Sequence, residues 1–150
     1  MNRALEDVLL RLPEDATSDL AAQLRWLEEL ILAAEQATEL GPDGARAALD
    51  LKAALGAIVL YARGSRTESD RLALEMALKT LVARALYTLH GALAATYREL
   101  AKEGPLRGEC RELARLWGSV QRAVERAEPI PKNVVARLEA LRTKIVAAEG

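Results

Sequence analysis

Aromatic residues are scarce in this sequence, and phenylalanine is missing altogether. Aromatic side chains make up 3% of the 150 residues, whereas the hydrophobic fraction reaches 51%. The apolar residues are therefore mostly leucine and alanine, which have high helix propensity. No window alternates apolar and polar residues as a half-buried strand would. These features predict an all-α protein, and the length suits a single domain over residues 1–150 with a buried core.

The low cysteine content, the small net charge and the lack of long uncharged segments each exclude a class of protein. A single cysteine, Cys110, excludes an internal disulfide, so the fold does not depend on an oxidising compartment. A net charge of −1 and a pI near 6.0 argue against a general nucleic-acid binder, which carries a basic excess. The longest uncharged run, Ala85 to Tyr97, is shorter than the roughly 18 residues of a membrane span, and the N-terminal segment lacks the apolar stretch of a signal peptide. We therefore expect a cytoplasmic monomer with no membrane or nucleic-acid partner.

Proline and glycine separate six segments with helical periodicity. The predicted helices run from about Asn2 to Leu12, from a Thr17/Ser18 cap to Leu40, from Gly44 to Arg63, from Thr67/Ser69 to Lys102, from Gly108 to Ala127, and from Asn133 to Ala148. In the third and fourth helices the polar residues are scattered, so these two are expected to lie inside. Short loops make sequential helices antiparallel neighbours. The sequence predicts a compact bundle around a long central helix over residues 69–102.

The only histidine, His90, lies in the middle of this long helix, beside the mid-helix Gly91. A glycine in a helix interior costs about 1 kcal/mol relative to alanine, which is expected where something must approach the helix closely. Small residues, Ala83 and Ala94, lie on the same side of the helix as the imidazole. The pattern indicates an apolar space around His90.

Folding the last two helices back at their loops brings further side chains to the level of His90. The predicted pocket is formed by His90, Gly91, Ala83, Tyr87, Ala94, Trp117, Val120 and Leu141. A neutral imidazole in an apolar space can be the single axial ligand of a haem. We therefore expect an internal pocket for a small molecule or porphyrin. Haem is the best single candidate, with His90 as its metal ligand and as the catalytic residue.

Two alternative functions stay open at this point. In the first, His90 is the base or nucleophile of a metal-free small-molecule binder or catalyst. In the second, the chain is a structural or interaction scaffold without a pocket, and His90 is a hydrogen-bonded core residue. The second alternative predicts that Gly91→Ala makes the protein more stable.

The remaining reactive residue types give weaker signals. Cys110 falls about ten residues, roughly 15 Å, from the level of His90, which is too far for a nucleophile–base pair. Lys52 and Lys79 are typical of ion-paired lysines with exposed ammonium groups. A basic stripe on the fifth helix is expected to be solvated; it consists of Arg107, Arg111, Arg115, Arg122 and Arg126. The sequence has no second histidine, no Glu-x-x-His pair and no glycine-rich phosphate loop.

The short loops Gly41-Pro42-Asp43-Gly44 and Glu103-Gly104-Pro105, with a Leu/Ala core and a Glu/Arg surface, resemble computationally designed helical bundles and helical-repeat proteins. This resemblance is compositional and covers the whole chain, and it implies an all-α bundle. Gly56, Gly91 and Gly118 within helices depart from inert designs of this kind, and they imply accommodation of a ligand. No motif of a natural family is matched.

Overall fold

The computed structural model of the chain describes residues 4–11, 20–126 and 128–149. Within these residues it contains six α-helices and no β-strand, which confirms the all-α prediction. The helices are α1 (Ala4–Leu10), α2 (Leu20–Gln36), α3 (Gly41–Gly64), α4 (Glu68–Leu100), α5 (Arg107–Glu125) and α6 (Lys132–Glu149). The long helix expected at 69–102 is α4. Leu12, the Thr17/Ser18 cap and Ala127 lie outside the described residues.

Contacts between Cα atoms divide the chain into two compact units, Met1–Leu86 and Tyr87–Gly150. The boundary falls inside α4, so this helix contributes its first part to one unit and its last part to the other. The first unit also contains α1, α2 and α3, and the second also contains α5 and α6. The single domain over residues 1–150 stays a prediction.

The connection between α2 and α3 differs from the expected one by a few residues. α2 ends at Gln36, and Thr38–Leu40 form a 3-10 turn before Gly41, which adopts a φ of 72°. Glycine takes this left-handed conformation without steric strain. Pro42 then lies in the first turn of α3, where its missing N–H is not needed. The helix stop predicted at Gly41-Pro42 is therefore also the start of α3.

A capping box begins α4 close to the predicted Thr67/Ser69 start. The Thr67 hydroxyl accepts a hydrogen bond from the Asp70 backbone N–H at 3.1 Å, and the Asp70 carboxylate accepts bonds from the N–H groups of Arg66 and Thr67 at 3.0 and 3.2 Å. The Tyr61 hydroxyl of α3 donates to the same carboxylate at 3.2 Å. These hydrogen bonds, with that from Arg66 foremost, lower the pKa of Asp70.

The core of the first unit is built on α2. α1 packs against it, and the Trp26 indole N–H donates to the Val8 carbonyl at 2.9 Å. α3 packs along α2 as the second arm of a helical hairpin. The buried apolar residues of α2 are Trp26, Leu27, Leu30, Ile31, Ala33 and Ala34. The 3.6-residue period of α2 predicts an inner stripe of Leu20, Leu24, Leu27, Ile31 and Ala34. Leu27, Ile31 and Ala34 are buried, whereas Leu20 and Leu24 are only half-buried.

The third helix does not lie inside, and this expectation from the sequence is wrong. Its buried residues are confined to Gly44, Ala48, Leu51 and Leu55. Leu49, Leu60 and Tyr61 are exposed on other sides of the helix. The composition of α3 is apolar on more than one face, but a helix buries only those faces that neighbouring elements cover.

Two ion pairs join α5 to α6 in the second unit. The Arg137 guanidinium donates to both carboxylate oxygens of Glu112, at 2.7 and 2.9 Å, and the Lys144 ammonium donates to Glu109 at 2.8 Å. These hydrogen bonds lower the pKa of Glu112 and of Glu109. The 3.6-residue period of these two helices predicts that their inward faces consist of Cys110, Leu113, Leu116, Trp117, Val120 and Val124 on α5 and of Val134, Leu138, Leu141 and Ile145 on α6. All are buried except Val124 and Val134, which are half-buried.

Candidate functional site

His90 is enclosed within the second unit. Its side chain is 1% exposed, and its ring stacks on the indole of Trp117, with ring centroids 5.6 Å apart and 27° between the planes. Among the described residues, its Nδ1 atom has no hydrogen-bond partner. Loss of hydration on burial lowers the pKa of His90 from 6.5 to about 4. The imidazole is therefore neutral at pH 7.

A side chain of α5 accounts for the glycine at position 91. A Cβ atom at this position would lie 2.8 Å from Nε2 of Gln121, which donates a hydrogen bond to the Tyr87 carbonyl at 2.9 Å. Gln121 belongs to α5, so its amide ties α5 to the backbone of α4. The missing side chain of Gly91 makes room for this amide. The close approach that the sequence indicated is therefore made by a protein side chain.

The structure places the other predicted pocket residues in different environments. Trp117 lies against the imidazole, as expected. The remaining buried members are Ala94, Val120 and Leu141. Ala83 is exposed and Tyr87 is 50% exposed, so neither lines an internal pocket, contrary to expectation. Ala83 lies seven residues, about 10 Å, from His90 along the helix. The helix face on which both residues lie is buried at His90 but exposed to solvent at Ala83.

The arrangement around His90 does not fit a haem. A porphyrin ligated by this imidazole would need open space beside a ring nitrogen, but His90 is 1% exposed and is therefore enclosed by protein atoms. The metal-free catalyst is not favoured either, because a side chain that is 1% exposed is out of reach of a substrate. In the described part of the chain, no group of three or more His, Cys, Asp and Glu residues could hold a metal ion. Ligand binding at His90 stays a prediction without support from these contacts.

Lys52, Lys79 and the arginines of the basic stripe on α5 are exposed at the protein surface. Lys52 pairs with Glu35 at 3.2 Å, which confirms an ion-paired lysine. Lys79 is exposed, and the nearby Glu75 pairs with Arg71 at 3.3 Å. Cys110 is buried on α5. All five arginines of the predicted stripe are exposed.

An open groove of about 470 Å³ lies between α2 and α3, in a place where the sequence indicated no site. The buried Ile31 and Leu55 and the half-buried Val59 form its floor. Leu32 of α2 and Leu60 of α3 form its edges and are 55% and 68% exposed. The groove is lined by Glu28, Ile31, Leu32, Glu35, Lys52, Leu55, Gly56, Val59, Leu60 and Arg63. An exposed apolar surface with a charged border is typical of an interaction site.

The charged residues of the groove are separated by sign. The α2 wall contributes Glu28 and Glu35, whereas the α3 wall contributes Lys52 and Arg63. One wall is therefore acidic and the other basic, even though the chain as a whole is almost neutral.

At Gly56, no side chain covers the helix backbone in the basic wall of the groove. A Cβ atom at this mid-helix position would meet nothing within 4 Å. Glycine destabilises a helix interior by about 1 kcal/mol relative to alanine, and in contrast to Gly91 no contact with a described residue explains it. The unexplained glycine and the exposed leucines lie in the same groove.

The chain matches no family model, no curated protein and no solved structure. This confirms the expectation that no natural family is matched. A search of the described helices also finds none that is both long and apolar enough to cross a membrane.

A signal for the groove is present in the sequence. Along α3, Leu49, Gly56 and Leu60 recur on one side of the helix, next to the core stripe formed by Ala48, Leu51 and Leu55. Two adjacent apolar stripes on one helix predict two partners. We interpreted them together as all-round burial, because periodicity does not show which stripe is covered within the chain.

Because Gln121 fills the space over Gly91, we expect Gly91→Ala to change the free energy of unfolding by less than about 1 kcal/mol. The gain of about 1 kcal/mol in helix propensity is offset by loss of the bond from Gln121 to the Tyr87 carbonyl, worth about 1 kcal/mol. In a Gln121→Ala background the same substitution is expected to stabilise by about 1 kcal/mol. Urea unfolding of the four proteins measures this coupling.

Gly118→Ala is the matched control for that cycle. Its Cβ would meet only Nη1 of Arg122, at an ordinary 3.5 Å. It is expected to stabilise by about the same amount with or without Gln121. Equal effects of Gly91→Ala in both backgrounds would show that the Gln121 amide is not held over Gly91.

Proposed function

We propose that this protein is an interaction module that binds an amphipathic α-helix in the groove between α2 and α3. The exposed leucines of the groove, Leu32 and Leu60, carry this proposal. Each leaves more than half of its side chain in water, although burial of a leucine side chain is worth about 1.5–3 kcal/mol. A partner that covers both gains this free energy.

The shape of the groove favours a helix over a small ligand. Two packed helices present a furrow into which the side-chain ridge of a third helix fits. Lys52 and Arg63 are eleven residues apart, so the groove extends along about 16 Å of α3. This length accommodates the i, i+4 and i+7 anchors of a bound helix. The floor is formed by aliphatic side chains, which offer no hydrogen bonds to orient a polar small molecule.

The opposite charges of the two walls specify the flanks of the bound helix. Cationic side chains are expected on the side that faces Glu28 and Glu35, and carboxylates on the side that faces Lys52 and Arg63. Such complementarity orients a partner and selects against the reversed one. The groove therefore favours a helix with an apolar stripe and differently charged flanks.

A synthetic helical peptide with leucines at i, i+4 and i+7, lysines on one flank and glutamates on the other tests the proposal. We expect saturable binding in fluorescence anisotropy, and we expect Leu60→Glu to weaken it by about tenfold or more, because it replaces an apolar anchor by a charged group in the apolar contact. Leu72→Glu is the matched control, because Leu72 is similarly exposed but does not line the groove. Equal affinities for wild type and Leu60→Glu would contradict the proposal.

A further inference from the structure

We infer that the helix bound in the groove belongs to a second copy of this chain, so that two α2–α3 hairpins associate face to face around a two-fold axis. This inference rests on the proposed helix-binding function and names the partner. It replaces the monomer expected from the sequence. The argument uses the charges of the two walls, their levels along the hairpin and the bare Gly56.

The charge pattern of the groove is complementary to itself. A two-fold axis parallel to the helices lays α2 of the second copy over α3 of the first, and the reverse, because the contact is isologous. The acidic wall with Glu28 and Glu35 then faces the basic wall with Lys52 and Arg63. A two-fold axis perpendicular to the helices would instead lay α2 over α2 and oppose like charges. The parallel axis is therefore the favoured one.

The positions of the charged residues along the direction of the helices, here called their levels, agree with a two-fold axis parallel to the helices. Glu35 and Lys52 of one chain lie 3.2 Å apart, so they share a level along the hairpin, and a parallel two-fold axis preserves levels. Glu35 of the second copy therefore comes to the level of the Glu35–Lys52 pair of the first copy, so that the two pairs join in one network of alternating charges. Glu28 lies seven residues, about 10 Å, from Glu35, and Arg63 lies eleven residues, about 16 Å, from Lys52. The remaining offset of about 6 Å is within the reach of a long arginine side chain.

Gly56 provides a matching hole for Leu32. Leu32 lies three residues, about 4.5 Å, from Glu35, and Gly56 lies four residues, about 6 Å, from Lys52 in the same direction along the hairpin. The exposed leucine of one copy is therefore placed almost level with the bare glycine of the other. A knob that enters such a hole gives the close packing of a helix–helix contact. This contact supplies the reason for Gly56 that is missing within one chain.

Sedimentation velocity of the full chain, between about 1 µM and about 1 mM, is the first test, since this range spans weak and strong association. We expect the dimer mass to dominate as concentration rises. Two charge-reversed proteins sharpen the test: Lys52→Glu with Arg63→Glu, and Glu28→Lys with Glu35→Lys. Each is expected to be monomeric alone, because both walls then carry one sign. An equimolar mixture is expected to form a heterodimer.

Gly56→Leu tests the hole directly. If Leu32 of the second copy enters at Gly56, the added side chain weakens association by about tenfold or more. Ala57→Leu is the matched control, because it adds an apolar side chain at an exposed position outside the groove and is expected to leave association unchanged. Circular dichroism and urea unfolding of each variant confirm that it is folded.

The outcomes separate the dimer from the binding function. A wild-type chain that stays monomeric over the whole concentration range, or charge-reversed proteins that fail to pair on mixing, overturns the dimer. If the synthetic helical peptide still binds and Leu60→Glu still weakens it, the groove is a helix-binding site for another protein. If neither self-association nor peptide binding is found, both proposals are wrong.

Discussion

Trp117→Ala is expected to lower the free energy of unfolding by about 3–5 kcal/mol, the range for removing a large aromatic side chain from a core. Trp117 is 0% exposed and stacks on the imidazole of His90, so its loss leaves a cavity beside a polar ring. Domains of this size have a total stability of about 5–15 kcal/mol. The loss is therefore a large fraction of the whole, and urea unfolding measures it.

The same substitution is expected to change the titration of His90. Desolvation is what lowers the pKa of this imidazole to about 4, and its Nδ1 atom has no hydrogen-bond partner in the part of the chain that the structure describes. Water that enters the new cavity hydrates the ring, so the pKa of His90 is expected to rise toward 6.5. NMR follows this directly, because the chain contains a single histidine.

Trp26→Ala is the control for that experiment. Trp26 is also buried, and its indole N–H donates to Val8 in the first unit. Its removal is expected to lower stability while leaving the pKa of His90 unchanged. An unchanged pKa of His90 in Trp117→Ala would show that the indole is not what keeps water from the imidazole.

Acidification is expected to lower the free energy of unfolding by about 3 kcal/mol through His90 alone. The pKa of His90 is about 4 in the folded chain, whereas that of the free side chain is 6.5. Each pKa unit of this difference corresponds to 1.36 kcal/mol. Between these two values the unfolded chain binds the proton and the folded chain does not. Stability therefore rises with pH over this window. The contribution is fully present above pH 6.5, is lost as the pH falls, and is gone below the folded pKa.

His90→Phe isolates this effect. The variant keeps a flat ring against Trp117 but has no proton to bind, so the difference between wild type and variant removes the contribution of the carboxylates. Urea unfolding at several pH values between about 4.5 and 7.5 is the measurement. We expect the wild type to lose stability more steeply than the variant below pH 6.5. Parallel pH profiles of the two proteins would contradict the burial of a neutral imidazole.

Local features of this protein were predictable because they depend on neighbours in the sequence. The start of α4 near Thr67 is an example, because the hydrogen bond that caps the helix, from the Asp70 N–H to the Thr67 hydroxyl, is made within one helical turn. The amphipathic period of α5 places Leu113 and Trp117 in the core whatever they pack against. Propensity, capping and periodicity require no knowledge of the partner helix.

The meaning of two of the mid-helix glycines, Gly56 and Gly91, was decided by other helices. Gly91 was interpreted as room for a ligand, but Gln121, thirty residues later, fills that space. Gly56 carries the same local signal, yet it opens onto the groove. A glycine within a helix indicates only that another group comes close to the backbone or that space is left beside it. Which group fills this space depends on how another helix packs there.

The sequence by itself determined that the chain is helical, where its helices begin and end to within a few residues, and that His90 lies on an apolar face. Only the tertiary structure decided that Trp117 covers the imidazole and that Leu32 and Leu60 stay exposed beside a bare Gly56. The physical reason is that helix formation depends on residues one turn apart, whereas burial depends on which of several apolar faces finds a partner.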